Sequence, residues 1–162
     1  MGQGRRGKAL NHRTDLEQAP AGPGLRGNTK ARTGRGCDHD LVGLTVVIVD
    51  DHAGFRSFAR ACLEADGFTV LAGAGDGASA VEVCKRFDPD VVLLDVVLPD
   101  CDGFEVCARL TEQSNTRPAV LLTSSRPAAA YMARLQTSTA RGFVPKEAIC
   151  GATLRALLEA DT

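Results

Sequence analysis

The sequence predicts an α/β fold in which a five-stranded parallel sheet carries helices on both faces. Two observations lead to this prediction. From about Leu41 onwards, short apolar runs alternate five times with segments of helical periodicity. Small, polar or charged residues follow each apolar run, as expected where a strand ends in a loop. Regular alternation of this kind is typical of parallel sheets with right-handed crossover connections.

The third predicted strand is the clearest of the five and leads to the first candidate site residue. Residues 91–94 are an uninterrupted apolar run, with Pro89 before it and Pro99 and Gly103 after it. Such a run between turn residues is typical of a strand buried on both faces. Asp95 follows directly, at the end of the strand where parallel sheets bind ligands. On position alone, a helix-capping Asp is an equally good interpretation.

The other elements follow from the same two patterns. Further strands are predicted at residues 44–49, 68–72 and 119–122. Residues 141–144 begin a fifth strand, which ends at Lys146. Four helices are predicted from apolar residues at helical spacing, namely Phe55, Phe58, Ala59, Cys62 and Leu63, then Ala80, Val81, Cys84 and Phe87, then Ala128, Met132 and Leu135, and finally Cys150, Leu154, Leu157 and Leu158. A further helix is expected from about Phe104 to Gln113. This order fits a flavodoxin-like, doubly wound sheet with strand order 2-1-3-4-5.

The first 40 residues differ in composition from the rest of the chain. Residues 1–40 hold 8 Lys and Arg against 4 Asp and Glu, eight Gly, and no Val, Ile or Phe. Such a segment cannot bury enough apolar surface to offset the entropy of ordering, so we expect a disordered basic tail. Residues 41–162 hold 11 basic and 16 acidic residues and are expected to form one folded domain. The tail is either inert or a weak arm for nucleic acid or a partner.

The composition also indicates the compartment. The chain has six Cys but no C-x-x-C pair, and most fall in predicted helices, so we expect reduced, partly buried thiols. No apolar run approaches the length of a membrane span, and the N-terminus lacks the apolar core of a signal peptide. We therefore expect a cytoplasmic protein.

Chemically useful side chains follow four of the predicted strands. Because parallel strands end at the same edge of a sheet, we expect Asp50 and Asp51, Asp95, Thr123 and Lys146 to lie close together. Two bare carboxylates ~4 Å apart repel by roughly 4 kcal/mol at an effective dielectric of ~20, so a counterion is required. Mg²⁺ prefers such oxygen ligands. Carboxylates, Mg²⁺, an ammonium group and a hydroxyl suit a phosphoryl group carried on an aspartate.

Taken together, residues 41–162 resemble a response-regulator receiver domain of two-component signalling. The resemblance depends on Asp50-Asp51, on Asp95 with Leu98-Pro99 and Asp102-Gly103, on Thr123, and on Phe143 with Lys146. Residues 49–52, with Phe55 and Arg56, further resemble receivers of the NarL/FixJ group.

This resemblance implies a role for each matching residue. Asp95 would accept a phosphoryl group from a sensor histidine kinase or a phosphotransfer protein. Mg²⁺ would be held by Asp95, directly by Asp51, through water by Asp50, and by the backbone carbonyl of Val97. Thr123 and Lys146 would bind the phosphoryl oxygens, and Phe143 would be the switch aromatic. Pro99, Asp102 and Gly103 would shape the loop after Asp95. His52 is interpreted as a loop residue. The protein would assist its own phosphorylation and dephosphorylation without being a classified enzyme.

Two departures from the family pattern affect the expected switch. Many receivers carry Pro directly after the Lys, whereas here Pro145 precedes Lys146 and Glu147 follows it. We therefore expect a trans Lys146–Glu147 bond. Pro145 is tolerated if the fifth strand lies at an edge of the sheet. Phe143 has no hydroxyl group, so a switch at this position would act through packing.

The sequence also leads to an expectation about output. NarL/FixJ regulators carry a helix-turn-helix, but this chain ends one helix after Lys146. We expect a single-domain regulator that signals to a protein partner through the surface from Pro127 to Glu159 and does not bind specific DNA directly. Four arginines give this surface a basic character: Arg126, Arg134, Arg141 and Arg155. The alternative is the receiver part of a transcriptional regulator without its helix-turn-helix.

Two other functions compete with this interpretation. Gly73, Gly75 and Ala78 follow a strand and open a helix in a pattern similar to a dinucleotide-binding fingerprint. That pattern leaves the acidic cluster and Lys146 without a role. An aspartate-dependent phosphohydrolase would place an acid two residues after the nucleophile, where this chain has Val97, which cannot act as a general acid.

Overall fold

The computed structural model describes residues 43–114 and 117–160 as an alternating series of strands and helices. The strands are β1 (Thr45–Val49), β2 (Thr69–Ala74), β3 (Val91–Asp95), β4 (Ala119–Ser124) and β5 (Gly142–Pro145). The helices are α1 (Ala53–Ala65), α2 (Gly77–Phe87), α3 (Gly103–Gln113), α4 (Met132–Thr137) and α5 (Gly151–Glu159). Short 3₁₀ turns at Ala128–Tyr131 and Lys146–Ala148 precede the last two helices. The disorder predicted for residues 1–40 lies outside the described residues.

The sheet has the predicted topology. Its five strands are parallel and lie in the order β2-β1-β3-β4-β5, so the flavodoxin-like arrangement is confirmed. The chain reverses its direction of winding between β1 and β3, which are neighbours in register from Val46 with Val91 to Val49 with Leu94. A doubly wound sheet has its ligand crevice at this reversal. β5 forms an edge, as its Pro145 requires.

The core has two layers because successive side chains of a strand point to opposite faces of the sheet. Val47 and Val49 of β1 pack in the layer covered by α2, α3 and Tyr131. Val46 and Ile48 pack in the other layer, covered by α1 and α5. All five residues of β3 are buried, as expected for a central strand of a sheet covered on both faces.

Three large apolar residues that the sequence assigned to inward helix faces are exposed instead. Phe58, Phe87 and Met132 have 55%, 40% and 51% of their surface exposed. In α1 only Ala59 and Leu63 are buried, so the buried face of this helix is narrower than its apolar pattern indicates. Phe58 lies at the margin of that face. The helix expected around Met132 begins as a 3₁₀ turn, which changes the phase of its faces, and Tyr131 is buried in place of Met132.

The burial and helix positions of the cysteines agree in part with the prediction from the sequence. Cys84 and Cys107 are buried in helices, while Cys62 and Cys101 are half-buried, and all five cysteines in the described ranges are free. Cys150 was predicted inside the last helix, but it caps the N-terminus of α5, where its thiol accepts a hydrogen bond from the Thr153 N–H. No helix within the described ranges is long and apolar enough to cross a bilayer.

Candidate functional site

The candidate site lies where β1 and β3 end side by side. Asp50 directly follows β1 and Asp95 is the last residue of β3. The Asp50 N–H donates to the carbonyl of Ala74 at the end of β2, which fixes the backbone as it leaves the sheet. Both aspartates are buried, with 0% and 4% of their surfaces exposed. The structure therefore places two carboxylates in the interior at the predicted crevice.

Lys146 offsets part of the negative charge of these two carboxylates. Its Nζ lies 2.5 Å from Oδ2 of Asp50 and 3.0 Å from Oδ2 of Asp95. The 3₁₀ turn that begins at Lys146 brings the side chain inward from the edge strand β5, and its Nζ also lies 4.6 Å from the centre of the Phe55 ring. Each carboxylate is thereby within hydrogen-bonding distance of one shared cation.

Burial and Lys146 have opposite effects on the two carboxyl groups. Burial acts to raise the pKa of Asp50, but hydrogen bonds from Lys146 and from the His52 backbone outweigh it and hold the pKa below its usual range. Burial raises the pKa of Asp95 above its usual range, and the hydrogen bond from Lys146 only partly compensates. Burial acts to lower the pKa of Lys146, but the hydrogen bonds to both carboxylates raise it. The negative charge of Asp95 is thus less well compensated by its surroundings than that of Asp50.

Asp51 and His52 extend the cluster towards solvent. One ligand atom from each of Asp50, Asp51, His52 and Asp95 lies within 4.8 Å of the others. His52 Nδ1 is 2.9 Å from Oδ1 of Asp51 and 3.2 Å from Oδ1 of Asp50. The sequence interpretation treated His52 as a loop residue and missed this proximity. Its position directly after two aspartates was the available signal.

Thr123 lies beside Asp95 on the neighbouring strand, because the two residues are register partners in β3 and β4. The residue is fully buried, and its Oγ1 finds no hydrogen-bond partner among the described residues. A buried hydroxyl without a partner is costly, so a ligand oxygen within its reach would be stabilised. Its carbonyl accepts a hydrogen bond of 2.9 Å from the Val96 N–H, which fixes the start of the loop after Asp95.

The loop after Asp95 is shaped by the residues that the sequence singled out. Asp102 caps α3, since its Oδ1 accepts a hydrogen bond of 2.8 Å from the Phe104 N–H. Gly103 lies so close to β3 that a Cβ there would be 2.2 Å from the carbonyl oxygen of Asp95. Pro99 is exposed at the turn, and the side chain of Val97 is exposed as well. The Val97 N–H donates to Oδ1 of Asp95 over 3.2 Å.

These residues suit a hard cation. Asp50, Asp51 and Asp95 offer carboxylate oxygens, and Mg²⁺ prefers one or two such ligands together with water and phosphate oxygens. The orphaned hydroxyl of Thr123 and the ammonium group of Lys146 lie on the same edge, where they suit a phosphate. The donor set therefore fits Mg²⁺ beside a phosphoryl group.

Comparison with known proteins identifies the family. The family model described as the response regulator receiver domain matches residues 46–158. The chain belongs to this family. The matched region includes every residue of the site described above. Its homologues are regulators of the NarL and NarP type, and its structural neighbours are receiver domains.

Curated relatives match this chain over part of their own length. The nitrate/nitrite response regulator protein NarP of Escherichia coli is 37% identical over 103 residues, which are 63% of this chain and 47% of NarP. A Pseudomonas aeruginosa protein named as a transcriptional regulator is 40% identical over 101 residues, which are 62% of this chain and 48% of that protein. The chain therefore spans about half the length of these curated relatives.

Solved structures support the same assignment. The signal receiver domain of NarL from Mycobacterium tuberculosis superposes with a TM-score of 0.64 and 32% identity, covering 73% of this chain and 98% of that domain. A two-component response regulator of the LuxR family from Aurantimonas gives a TM-score of 0.62 at 25% identity, covering 73% of this chain and 84% of that one.

Phe143, the residue expected to act through packing, contacts another aromatic side chain in this receiver domain. Phe143 is half-buried, and its ring centre lies 5.9 Å from that of Tyr131. Tyr131 in turn lies 6.1 Å from Phe104, and its hydroxyl is 3.1 Å from Oγ of Ser124. Sequence analysis did not single out Tyr131. Its signal was weak, because a single Tyr in an alanine-rich segment does not reveal which face of the turn it occupies.

Two further predictions concern the peptide bond after Lys146 and the glycine pattern around Gly73. The described residues contain no cis peptide bond, so Lys146 and Glu147 are joined in trans as predicted. The glycines of the dinucleotide pattern are covered by Arg56, because a Cβ at Gly73 would lie 3.2 Å from its Cδ. Gly73 itself lies within β2 instead of in a phosphate-binding turn, so the structure lends that pattern no support.

Proposed function

We propose that this receiver domain accepts a phosphoryl group on Asp95 from a histidine kinase or a phosphotransfer protein. The observation that carries the proposal is the position of Lys146, whose Nζ binds Asp50 and Asp95 at once beside the unpartnered hydroxyl of Thr123. This arrangement combines a nucleophile, a fixed positive charge and a free donor. Together these groups suit the transfer of a phosphoryl group.

The transfer would proceed by direct displacement. A carboxylate oxygen of Asp95 attacks the phosphorus of a phosphohistidine, so an O–P bond forms and an N–P bond breaks. The electron pair of the broken bond returns to the imidazole nitrogen of the donor. Lys146 keeps its contact with the negative charge as that charge moves from the carboxylate onto the phosphoryl oxygens. The protein assists its own modification in this way and is not a classified enzyme.

Mg²⁺ is the cofactor that we assign to this reaction. When bound, it supplies charge neutralisation at the phosphoryl oxygens. Asp51 and Asp95 would hold it directly, Asp50 through water, and the Val97 carbonyl would complete the protein ligands. The carboxylate of Asp50 stays ionised for this role, because hydrogen bonds from Lys146 and His52 outweigh burial and keep its pKa low.

The phosphoryl group would then bias a conformational equilibrium. Donation from the Thr123 hydroxyl to a phosphoryl oxygen satisfies a buried group that otherwise has no partner, and this gain favours movement of Thr123 towards the phosphate. Phe143 would repack into the space that Thr123 leaves, and Tyr131 would follow because the two rings pack against each other. Phosphate at the site is thereby coupled to the segment from Pro127 onwards.

The surface from Pro127 to Glu159 is our candidate for the downstream protein partner in the cytoplasm. Three of its arginines are held by the protein itself: Arg134 binds Asp102, Arg141 donates to the Leu158 carbonyl, and Arg155 donates to the Asp66 carbonyl. These contacts fix the directions of the side chains, and the ion pair with Asp102 offsets the charge of Arg134. The exposed side chain of Met132 adds an apolar contact on the same surface. An acidic partner with an apolar anchor would fit this surface.

A second candidate function is favoured by the relatives. The chain spans 47% of NarP and 48% of the Pseudomonas aeruginosa protein named as a transcriptional regulator. The domain could thus serve as the receiver part of a transcriptional regulator. A pull-down and a DNA-shift assay at physiological salt, with wild type and Asp95→Asn, would show whether phosphorylation of this chain controls a protein contact or DNA retention. Phosphorylation-dependent retention of specific DNA by this chain would contradict signalling through a protein partner alone.

Phosphorylation itself can be tested with a small donor. We expect acetyl phosphate and Mg²⁺ to add one phosphoryl group to the wild-type protein and none to Asp95→Asn, as read by intact-protein mass spectrometry. Asp88→Asn is a matched control, because Asp88 is exposed at the C-terminal end of α2 and Asn tolerates its left-handed backbone. Equal phosphorylation of the wild type and Asp95→Asn would remove Asp95 from its proposed role.

A further inference from the structure

The loop between Asp95 and α3 is closed at its base by backbone contacts. The Gly103 N–H donates to the Val96 carbonyl over 2.8 Å, and Val97 and Asp102 form an isolated antiparallel bridge. Residues 98–101 therefore form a turn that projects from this base. The side chain of Val97 is 62% exposed, so its own packing does little to hold the backbone at Val97 in place.

Asp100 ties the tip of this turn to another element. Its Oδ1 accepts a hydrogen bond of 2.8 Å from the Gly77 N–H, and its Oδ2 accepts one of 3.1 Å from the Ala78 N–H. Gly77 and Ala78 are the first two residues of α2, whose N–H groups have no partner within the helix. The hydrogen bond from Gly77, followed by that from Ala78, lowers the pKa of Asp100, so the carboxylate that accepts both bonds is the stable form.

The contact between the turn and α2 is also sterically tight. A Cβ at Gly77 would lie 2.1 Å from Sγ of Cys101 and 2.8 Å from Cγ2 of Val106. Glycine is thus the residue that lets the start of α2 approach the turn. Cys101 and Asp100 are neighbours in the chain, so one residue packs against α2 while the other hydrogen-bonds to it.

Helix α2 has a separate cap of its own. Oδ1 of Asp76 accepts a hydrogen bond of 2.7 Å from the Ser79 N–H, in the usual manner of an N-cap residue. Asp76 belongs to the connection before α2 and makes no described contact with the turn after Asp95. The contribution of Asp100 therefore differs from ordinary capping, because it joins α2 to a loop 23 residues further along the chain.

We infer that Asp100 is a positioning residue for the metal site. By fixing the tip of the turn to the N-terminus of α2, it keeps the backbone of Val97 where its carbonyl can complete the Mg²⁺ ligands. The base of the turn and its tip are then both fixed, although Val97 itself is exposed to solvent. This inference rests on the proposed function, since it assigns a role in the same site.

The test compares Asp100→Ala with Asp76→Ala in the full chain. Both variants remove a carboxylate that caps α2, but Asp100→Ala alone releases the turn. We expect Asp100→Ala to weaken Mg²⁺ binding by about tenfold, as measured by titration calorimetry of the unphosphorylated protein, which is the size of effect typical of groups that orient metal ligands. Asp76→Ala should leave the Mg²⁺ affinity unchanged while lowering the melting temperature.

Two further measurements separate positioning from stability. Amide hydrogen exchange of residues 96–102 in metal-free protein should accelerate in Asp100→Ala and remain unchanged in Asp76→Ala. Asp100→Asn keeps one acceptor oxygen for the Gly77 N–H and should restore most of the Mg²⁺ affinity. Equal Mg²⁺ affinity in wild type, Asp100→Ala and Asp76→Ala would overturn the inference and leave the proposed function standing. Failure of the wild type to bind Mg²⁺ would overturn both.

Discussion

Tyr131 and Ser124 are joined by a hydrogen bond of 3.1 Å between their hydroxyl groups in the buried layer next to β4. Ser124 directly follows Thr123, and its Oγ also accepts a hydrogen bond from the Arg126 N–H. The aromatic ring of Tyr131 packs against the ring of Phe143, which has no hydroxyl of its own. The polar side-chain contact to Ser124 of β4 is therefore made by Tyr131 on the 3₁₀ turn, and Phe143 on β5 contributes aromatic packing alone.

Tyr131→Phe should loosen β4 while preserving the aromatic packing. Because a single buried hydrogen bond is lost, we expect the free energy of unfolding to fall by about 1 kcal/mol in urea denaturation. Tyr131→Leu should cost more, since the contacts with Phe104 and Phe143 are lost as well. An unfolding free energy of Tyr131→Phe equal to that of wild type would show that the hydroxyl contact contributes nothing.

Arg134 should contribute modestly through its link to the loop after Asp95. Its Nη1 lies 2.8 Å from Oδ2 of Asp102, and its guanidinium lies 4.1 Å from the centre of the Phe104 ring. Both ionic side chains are about half exposed, so Arg134→Ala should cost about 1 kcal/mol or less. Arg126→Ala, an exposed arginine on the same surface, is the control and should be neutral. The difference in unfolding free energy between the two variants should shrink at high salt. If this difference does not depend on salt, the effect of Arg134 comes from packing.

Lys146→Met should remove the cation that lies between the carboxylates of Asp50 and Asp95, so that the two negative charges repel each other. Without the cation, Asp50 and Asp95 are buried together, so we expect about 3 kcal/mol of destabilisation at neutral pH in the absence of metal. Burial already raises the pKa of Asp95 in the wild type, and it would rise further in the variant because the hydrogen bond from Lys146 that lowers it is lost. A raised pKa contributes stability at low pH and loses it as pH increases through the folded pKa.

The stability deficit of Lys146→Met should therefore be largest at neutral pH and smallest near the unfolded pKa of aspartate. Thermal unfolding from mildly acidic to neutral pH, in chelator, measures this trend. Lys146→Arg keeps a positive charge and is the control for loss of the side chain. A pH-independent deficit would indicate that Lys146 stabilises the fold through its contact with Phe55 instead of through the carboxylates.

Gly103→Ala should disturb the site through simple overlap. The added Cβ would lie 2.2 Å from the Asp95 carbonyl oxygen and 2.8 Å from the Cα of Val96, and both are backbone atoms of the site. We expect destabilisation of about 1–3 kcal/mol, as for other overpacked positions, together with slower phosphorylation by acetyl phosphate. Gly54→Ala in α1 is the matched control, because a Cβ there meets nothing within 4 Å and should be neutral or stabilising. Equal stability of the two variants would contradict the close approach at Gly103.

The sequence predicted the sheet and the charged centre of the site for the same reason. Strands such as β3 are apolar runs with turn residues around them, and parallel strands end at one edge, so Asp50, Asp95 and Lys146 had to meet once the order was known. The roles assigned to these residues, to Thr123 and to Phe143 remain proposals. The positions of the residues were nevertheless predictable without coordinates.

What the sequence could not predict depends on side chains that meet across loops. Asp100 binds α2 across 23 residues, and no local pattern distinguishes it from a solvated loop acid. Tyr131 is buried and Met132 exposed because the segment begins as a 3₁₀ turn, whose three-residue period differs from that of the expected helix. The contacts of His52 with Asp50 and Asp51 depend on the bend of the backbone after β1, although its position directly after two aspartates was a signal.

The ion pair between Asp50 and Lys146 has a consequence for the newly synthesised protein. The two residues are 96 positions apart, and they belong to the first and the last strand units of the domain. Asp66 of the first connection also accepts a hydrogen bond from the Gly151 N–H at the start of α5, so the same two ends are joined a second time. Contacts so distant in sequence require the closure of a long loop, whose entropic cost slows folding. A nascent or prematurely terminated chain that lacks residue 146 would carry Asp95 without its counterion, and the charged centre of the site would be complete only when synthesis has passed β5.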